Sequence, residues 1–327
     1  MSEFTFITAN DIHITDINPR SRVDDFSESI LQKIEQMKVA CKKLGADGAL
    51  IAGDLFHFKP PMKNSHRLVQ DLIRMFGDFP CPVYMIEGNH DISENRLESI
   101  DKQPLGVLFA SGVVKRLRNE TIKKGGDKVS LVGVPFSDEF DPDELELPAK
   151  EGCLAQICLL HIYASPTPGM LFKERIFGYR ELPEGPDFYV IGHYHINQGV
   201  VEEGGRHFIN IGSLSRGTLT DDALDHKPQL GFIRISNEDG EVTKIAQTIN
   251  LKVKPPEEVF DLQRRKEEKE ETKKIEEFIE ALTSESQIED RDEGESLEEV
   301  IQKTKVTQEI KDKAIHFIQA ATALKKS

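Results

Sequence analysis

The sequence predicts an α/β protein, a four-layer α/β/β/α sandwich with a C-terminal helical extension. Three observations predict it. Apolar strand runs alternate with helical apolar spacing through the first 195 residues, short strands separated by Gly, Asn and Asp take over from about Val113, and charge becomes dense beyond Pro255-Pro256.

Phe4 to Ala9 reads as the first strand. Phe26, Ile30, Ile34, Met37, Ala40, Cys41 and Leu44 then recur at helical spacing and stop at Gly45, a residue suited to a left-handed helix end. Ala49 to Ala52 is the second strand, Ser65 to Phe76 a helix with Leu68, Leu72, Ile73 and Phe76 on one face, Val83 to Ile86 the third strand, and Asn95 to Ala110 a further helix. That order implies a largely parallel sheet with helices outside. Val129 to Val134, Ile157 to Leu160, Tyr189 to Ile191, Phe208 to Ile211, Gly231 to Ile235 and Ile245 to Ile249 are expected to form a second sheet. Asn237-Glu238-Asp239-Gly240 turns the last two into a hairpin near 230–251.

The body is expected over residues 1–254 and the extension over 255–327. Within the extension, Glu257 to Leu282 reads as an exposed charged helix and 284–295 as an acidic, Ser-rich linker. Ser296-Leu297-Glu298-Glu299 is a capping-box match that opens a short helix with Val300 and Ile301. A last helix from about Thr307 carries Ile310, Ala314, Phe317, Ile318, Ala321 and Leu324 along one stripe, which must be buried on itself, on the body or on a partner.

Composition narrows the class. Charged residues make up 30% of the chain, and no apolar run approaches the roughly 18 to 20 residues that cross a bilayer. The first strand begins almost at once, without a secretory leader pattern, so a cytoplasmic protein is expected. Cys41, Cys81, Cys153 and Cys158 are scattered, form no C-x-x-C pair and read as reduced thiols. The net charge of −15 excludes whole-surface attraction to nucleic acid. Any such contact must use local basic patches: Lys59-Pro60-Pro61-Met62-Lys63 with Arg67, Lys115-Arg116-Leu117-Arg118, and Lys123-Lys124.

Five short clusters carry the chemistry: Asp11-Ile12-His13, Gly53-Asp54, Gly88-Asn89-His90-Asp91, His161, and Gly192-His193-Tyr194-His195. Each ends or directly follows a strand, where segments distant in sequence converge at one sheet edge. A phosphodiester resists attack because its charged oxygens repel a nucleophile and its alkoxide is a poor leaving group. Two divalent ions roughly 3.5 to 4 Å apart answer both difficulties, and holding them that close needs a bridging carboxylate. Asp54 is the expected bridge, with Asp11, His13 and His195 on one ion and Asn89, His161 and His193 on the other. Mixed imidazole and oxygen donors suit Mn, Fe or Zn better than calcium. The strand period of two would put His193 and His195 on one side, provided that segment is extended. His90 is left to face substrate and protonate the leaving oxygen, with Asp91 to orient it. His57, His66, His207, His226 and His316 lack such company and read as surface or structural histidines.

The ordered series D-x-H, G-D, G-N-H-D, H and G-H-x-H resembles the calcineurin-like metallophosphoesterase superfamily over residues 4–212. Within it, Gly53-Asp54-Leu55-Phe56-His57, Asn210-Ile211-Gly212-Ser213 and Lys227-Pro228-Gln229-Leu230-Gly231-Phe232 resemble SbcD-type DNA repair nucleases. The resemblance implies a DNA exo/endonuclease using two divalent ions, Mn foremost with Mg, Fe or Zn as alternatives. It also implies an SMC-like ABC ATPase partner docked through 257–327, and a homodimer formed by helices at about 64–77 and 95–110. Such nucleases insert a capping domain before the docking helices, whereas here only the hairpin near 230–251 intervenes. A stand-alone small-molecule phosphodiesterase or a phosphoprotein phosphatase would use the same ligands. A non-catalytic scaffold predicts eroded ligands, and none is missing.

Overall fold

The computed structural model describes residues 2–171, 173–217, 219, 224–267 and, beyond these, 269, 270, 272, 273, 301, 302, 308, 311, 312 and 315. It divides into two compact units, Met1–Phe260 and Asp261–Ser327.

The first unit opens with β1 (Ser2–Ala9), α1 (Phe26–Leu44), β2 (Gly48–Ile51), α2 (His66–Gly77), β3 (Val83–Met85), α3 (Pro104–Ser111) and β4 (Lys115–Arg116). β1 to β4 are parallel neighbours in that order, the arrangement that intervening helices enforce. Asp25 caps α1 by accepting from the Glu28 amide, and Gly45 closes it at φ 61°. The single helix expected over 95–110 is instead a 3-10 turn, Leu97–Lys102, followed by α3. Pro104 is the reason: it forces Gln103 into an extended conformation and then starts the new helix at the position where its missing N–H costs nothing.

β5 (Asn119–Lys124), β6 (Asp127–Val134), β7 (Ala155–Ile162), β11 (Phe188–His193), β12 (Gly199–Glu203) and β13 (Arg206–Asn210) form a second six-stranded sheet in the order β12-β13-β11-β7-β6-β5. β6, β7, β11 and β13 are parallel. Between β7 and β11, β8 (Ala164–Ser165), β9 (Gly169–Leu171) and β10 (Glu174–Gly178) make a small three-stranded sheet. The hairpin of β14 (Gln229–Glu238) and β15 (Glu241–Asn250), expected in the second sheet, belongs to the first. β14 pairs antiparallel with β1 over seven residue pairs, so that sheet runs β15-β14-β1-β2-β3-β4.

Side-chain alternation explains the layers. Phe4, Phe6, Leu50, Tyr84 and Ile86 point to the second sheet and meet Leu131, Ile157, Leu159, Phe188 and Val190. Their neighbours Ile7, Ala49, Ile51, Val83 and Met85 point the other way, onto Ile30, Ile34, Met37, Leu72 and Leu108 of the helices. Both faces of β1 to β3 are therefore buried, which is why those strands read as unbroken apolar runs. The outer face of the second sheet, through Cys158, Leu160, Tyr189 and Phe208, packs on Phe177, Tyr179 and Leu182. Among the described residues that cover consists of short strands and a 3-10 turn, Tyr179–Glu181, in place of the expected outer helical layer.

The helix expected from Glu257 begins as one turn, Pro256–Val259, and breaks at Phe260, which is extended and bridged to Arg22. Helix resumes at 262–267 in the second unit. The expected linker over 284–295, the capping box at 296–299 and the apolar stripe from Ile310 to Leu324 lie outside the described residues. No helix among the described residues is long and apolar enough to cross a membrane.

Candidate metal centre

The C-terminal ends of β1, β2, β3, β7 and β11 bring the five sequence clusters to one place. Asp11, His13, Asp54 and His195 hold donor atoms within 4.8 Å of one another, as do Asp54, His161 and His193. Asp54 belongs to both groups. Its Oδ2 lies 3.4 Å from His13 Nε2 and 3.5 Å from His161 Nε2. His13 Nε2 and His195 Nε2 are 3.0 Å apart, and Asn89 Oδ1 is 3.2 Å from His161 Nε2. Asp11, His13, Asp54, Asn89 and His90 come from the first sheet, and His161, His193 and His195 from the second.

This donor set fits a pair of divalent ions. Asp54 Oδ2 and His193 Nε2 are buried without a hydrogen-bond partner, and Oδ2 faces the imidazoles of His13 and His161 at 3.4 and 3.5 Å, a setting that a divalent cation would complete once those rings are neutral. His161 Nδ1 donates to the Ala52 carbonyl at 2.8 Å, which leaves Nε2 with its lone pair toward Asp54 when the ring is neutral. Asp11 accepts from the His193 amide at 2.9 Å, so the two sheets are tied beneath the site.

The backbone is bent to achieve this. Asp11 and His13 sit at φ 47°, Asp54 at 52° and His193 at 82°, a region that L side chains rarely occupy. Because His193 leaves the strand there, the segment to His195 is not extended and the two imidazoles serve different groups instead of lying side by side. Gly88 is equally constrained: a Cβ there would stand 2.1 Å from Asp54 Oδ1.

Asp91 does not orient His90. Its carboxylate accepts from the amides of Leu55 at 3.0 Å, Phe56 at 3.2 Å and Gly88 at 3.0 Å, and so clamps the β2 loop to the β3 loop. His90 is held otherwise: Nδ1 donates to the His57 carbonyl at 2.7 Å, and its amide donates to Asp54 Oδ1 at 2.8 Å. That tautomer turns Nε2 outward as the working atom. His57, read from sequence as peripheral, therefore belongs to the site, with its ring stacked on His90 at 5.9 Å. The sequence places it three residues after Asp54, at the end of Gly53-Asp54-Leu55-Phe56-His57, but that nearness assigned it no role. Tyr163, 4.0 Å from the His193 ring, and Glu174, 3.5 Å from its Nε2, are further neighbours that no motif marked.

Asp91→Ala leaves three amides without their acceptor. The expected cost is at least about 2 kcal/mol, a Tm lower by about 4 °C or more; thermal denaturation with no such fall would refute the clamp.

Electrostatics follow from burial and proximity. Burial alone would raise the Asp54 carboxyl, yet the imidazoles of His161, His13 and His90 draw it well below the usual carboxylate range. Burial opposes charge on His161, but Asp54 and Asp11 outweigh it and lift that imidazole to about 9. Burial, reinforced by His161, pushes His193 down to about 3, so it is neutral and ready to ligate at physiological pH. Burial and the Asp54 charge raise Asp91 to about 8 against its three amide donors.

Metal uptake near neutrality is therefore expected to release the His161 proton. Apparent Mn affinity should rise about tenfold per pH unit up to about pH 9. Calorimetry in buffers of different ionisation enthalpy measures that proton; an affinity flat between about pH 7 and about pH 9 would exclude it. In the metal-free protein the same raised imidazole stabilises the fold below about pH 6.5, a contribution lost as pH climbs through about 9.

Most residues of the basic patches already have partners. Arg116 and Arg118 both meet the buried Glu87, at 2.5 and 2.9 Å, and Lys124 meets Asp47 at 2.8 Å. Near the centre, Lys59 contacts Asn95 at 3.1 Å and Lys63 stands over the Phe58 ring.

The calcineurin-like phosphoesterase family profile matches residues 4–197. Among curated proteins, the chain is similar to the DNA double-strand break repair protein Mre11 of Methanococcus maripaludis, 23% identical over 59% of this chain and 51% of that one. It is also similar to the protein of the same name from Archaeoglobus fulgidus, 25% identical over 63% and 50%. The chain thus spans about half the length of the curated relatives it matches. Among solved structures, it resembles a dimetal phosphatase from Danio rerio, with a TM-score of 0.47 and 9% identity over 77% of this chain and 99% of that one. A 5'-nucleotidase precursor from Thermus thermophilus gives a TM-score of 0.45 and 14% identity over 81% and 57%.

Proposed function

The chain belongs to the calcineurin-like phosphoesterase family, and from that premise we propose that it is a metal-dependent DNA phosphodiesterase, the nuclease subunit of an SMC-like ATPase-nuclease complex in DNA repair or replication. The observation that carries the proposal is the sharing of Asp54 between two donor groups, with His90 at their edge. Asp11, His13 and His195 would hold one divalent ion, and Asn89, His161 and His193 the other, with Mn as the expected metal. Bound there, such ions activate water and offset charge on phosphoryl oxygens. The chain's own residues do the rest. Asp91 fixes the two loops, the His57 carbonyl holds the Nδ1–H of His90, and the ring in its doubly protonated form gives the Nε2 proton to the departing alkoxide and is left as the neutral Nδ1–H tautomer.

The choice of DNA as substrate is supported by two curated relatives that carry the name of DNA double-strand break repair proteins. ATPase docking through 257–327 and a homodimer belong to the same reading. The test is cleavage of single-stranded, blunt duplex and hairpin DNA with Mn or Mg, with and without a coiled-coil ATPase. Mn-dependent cleavage is the expected result. Strong turnover of a cyclic nucleotide or phosphopeptide with no DNA cleavage would replace this reading with a small-molecule phosphodiesterase or phosphatase.

A further inference from the structure

The loop that follows β13 is strapped down by cations. Lys33 of α1 donates to the Leu214 carbonyl at 2.9 Å, Arg22 to the Arg216 carbonyl at 2.7 Å, and Arg216 to the Lys254 carbonyl at 2.6 Å. All three are buried, with exposures of 2%, 6% and 5%. Among the described residues one carboxylate pairs with them: Asp24 takes a bidentate pair from Arg22 at 2.7 and 2.8 Å. Lys33 and Arg216 are thus met by carbonyl dipoles, in a protein whose net charge is −15. Burial and the two arginines press the Lys33 amine down to about 7, a sign of that local excess of positive charge. Arg216 Nε has no hydrogen-bond partner. Buried cations in that state call for an anion.

The place for one is open. Arg216 lines a cavity of about 630 Å³ that also takes in His13, His90 and His195 of the metal centre, with Ser215, His226 and one exposed carboxylate, Asp225, on its wall. That volume exceeds what one phosphoryl group fills and suits a nucleotide-sized ligand. His226 Nε2 donates to the Ser213 carbonyl at 2.6 Å, which steadies the wall.

We propose that Arg216 binds a second anionic group of the substrate, a phosphate beside the one that reacts, so that the centre favours substrates carrying two neighbouring phosphates, as a polynucleotide does. The proposal rests on the phosphodiesterase reading above and deepens it. A guanidinium fits this task because its fork presents donors to two phosphate oxygens at once, which an ammonium does not.

The test is calorimetric binding to the Mn-loaded full chain, with adenosine 3',5'-bisphosphate and adenosine 5'-monophosphate as probes. The native protein is expected to bind the bisphosphate at least tenfold more tightly. Arg216→Gln should bring the ratio to within about twofold of unity, and Arg216→Lys should keep part of it. Should Arg216→Gln fail to fold, Ser215→Asp sets a negative charge on the same wall and is expected to erase the preference likewise. A native ratio near unity, or a preference that survives both substitutions, overturns the proposal. DNA cleavage is scored separately. Its absence beside an intact ratio removes the nuclease reading and keeps the anion site, and its presence beside a ratio near unity does the reverse.

Discussion

Asp54→Ala is expected to abolish hydrolysis and metal binding together. The carboxylate is common to both donor groups, so its loss removes a ligand from each and leaves His13 Nε2 and His161 Nε2 without the charge they face at 3.4 and 3.5 Å. Charge stabilisation by such a centre amounts to several kcal/mol, so the rate should fall by at least about a thousandfold. Metal analysis of the dialysed protein should find less than one of the two ions retained. A variant that keeps both ions and most of its activity would remove the bridging role. The fold itself should survive, because the loop that carries Asp54 is held by the Asp91 clamp and the side chain is no part of the apolar core.

His90→Ala separates binding from chemistry. The ring lies at the edge of the site, where it forms a third cluster with His13 and His57, and it belongs to neither of the two groups that share Asp54; the proposed ion pair keeps all its ligands in the variant, so retention of those two ions should be native. Turnover should fall by roughly a hundred to ten thousandfold, the usual worth of a positioned proton donor. A leaving-group series adds a readout that misfolding would not imitate: the deficit should shrink as the leaving alcohol grows more acidic and needs its proton less. Equal deficits across the series would rule out proton donation by Nε2.

Much of the centre was legible in sequence for a simple reason. Each cluster holds its donors within a few residues of a strand end, and parallel strands deliver such ends to one edge, so Asp11, Asp54, Asn89, His161 and His193 could be grouped without knowing the strand order. What was hidden depends on contacts made across the chain. An apolar run such as Leu230 to Ile235 announces a strand but not its sheet, which is settled by pairing with β1. Asp91 beside His90 looks like its orienting carboxylate, yet His90 turns to the His57 carbonyl and Asp91 turns inward to three amides. The positive φ at His193 defeats the alternation argument for His195. Pro104, by contrast, was a signal present in the sequence that splits the expected helix in two.

Because His195 reaches from the second sheet to Asp11, His13 and Asp54 of the first, while Asp54 crosses to His161 and His193, any ion bound there works as a clasp across the seam between the two halves. Its affinity then depends on hydrophobic contacts such as Phe6 and Leu50 against Ile157 and Phe188, well removed from the ligands themselves. Loosening that seam should weaken metal retention, and loading the site should in turn make the halves harder to part, since binding to the folded form alone adds to its stability.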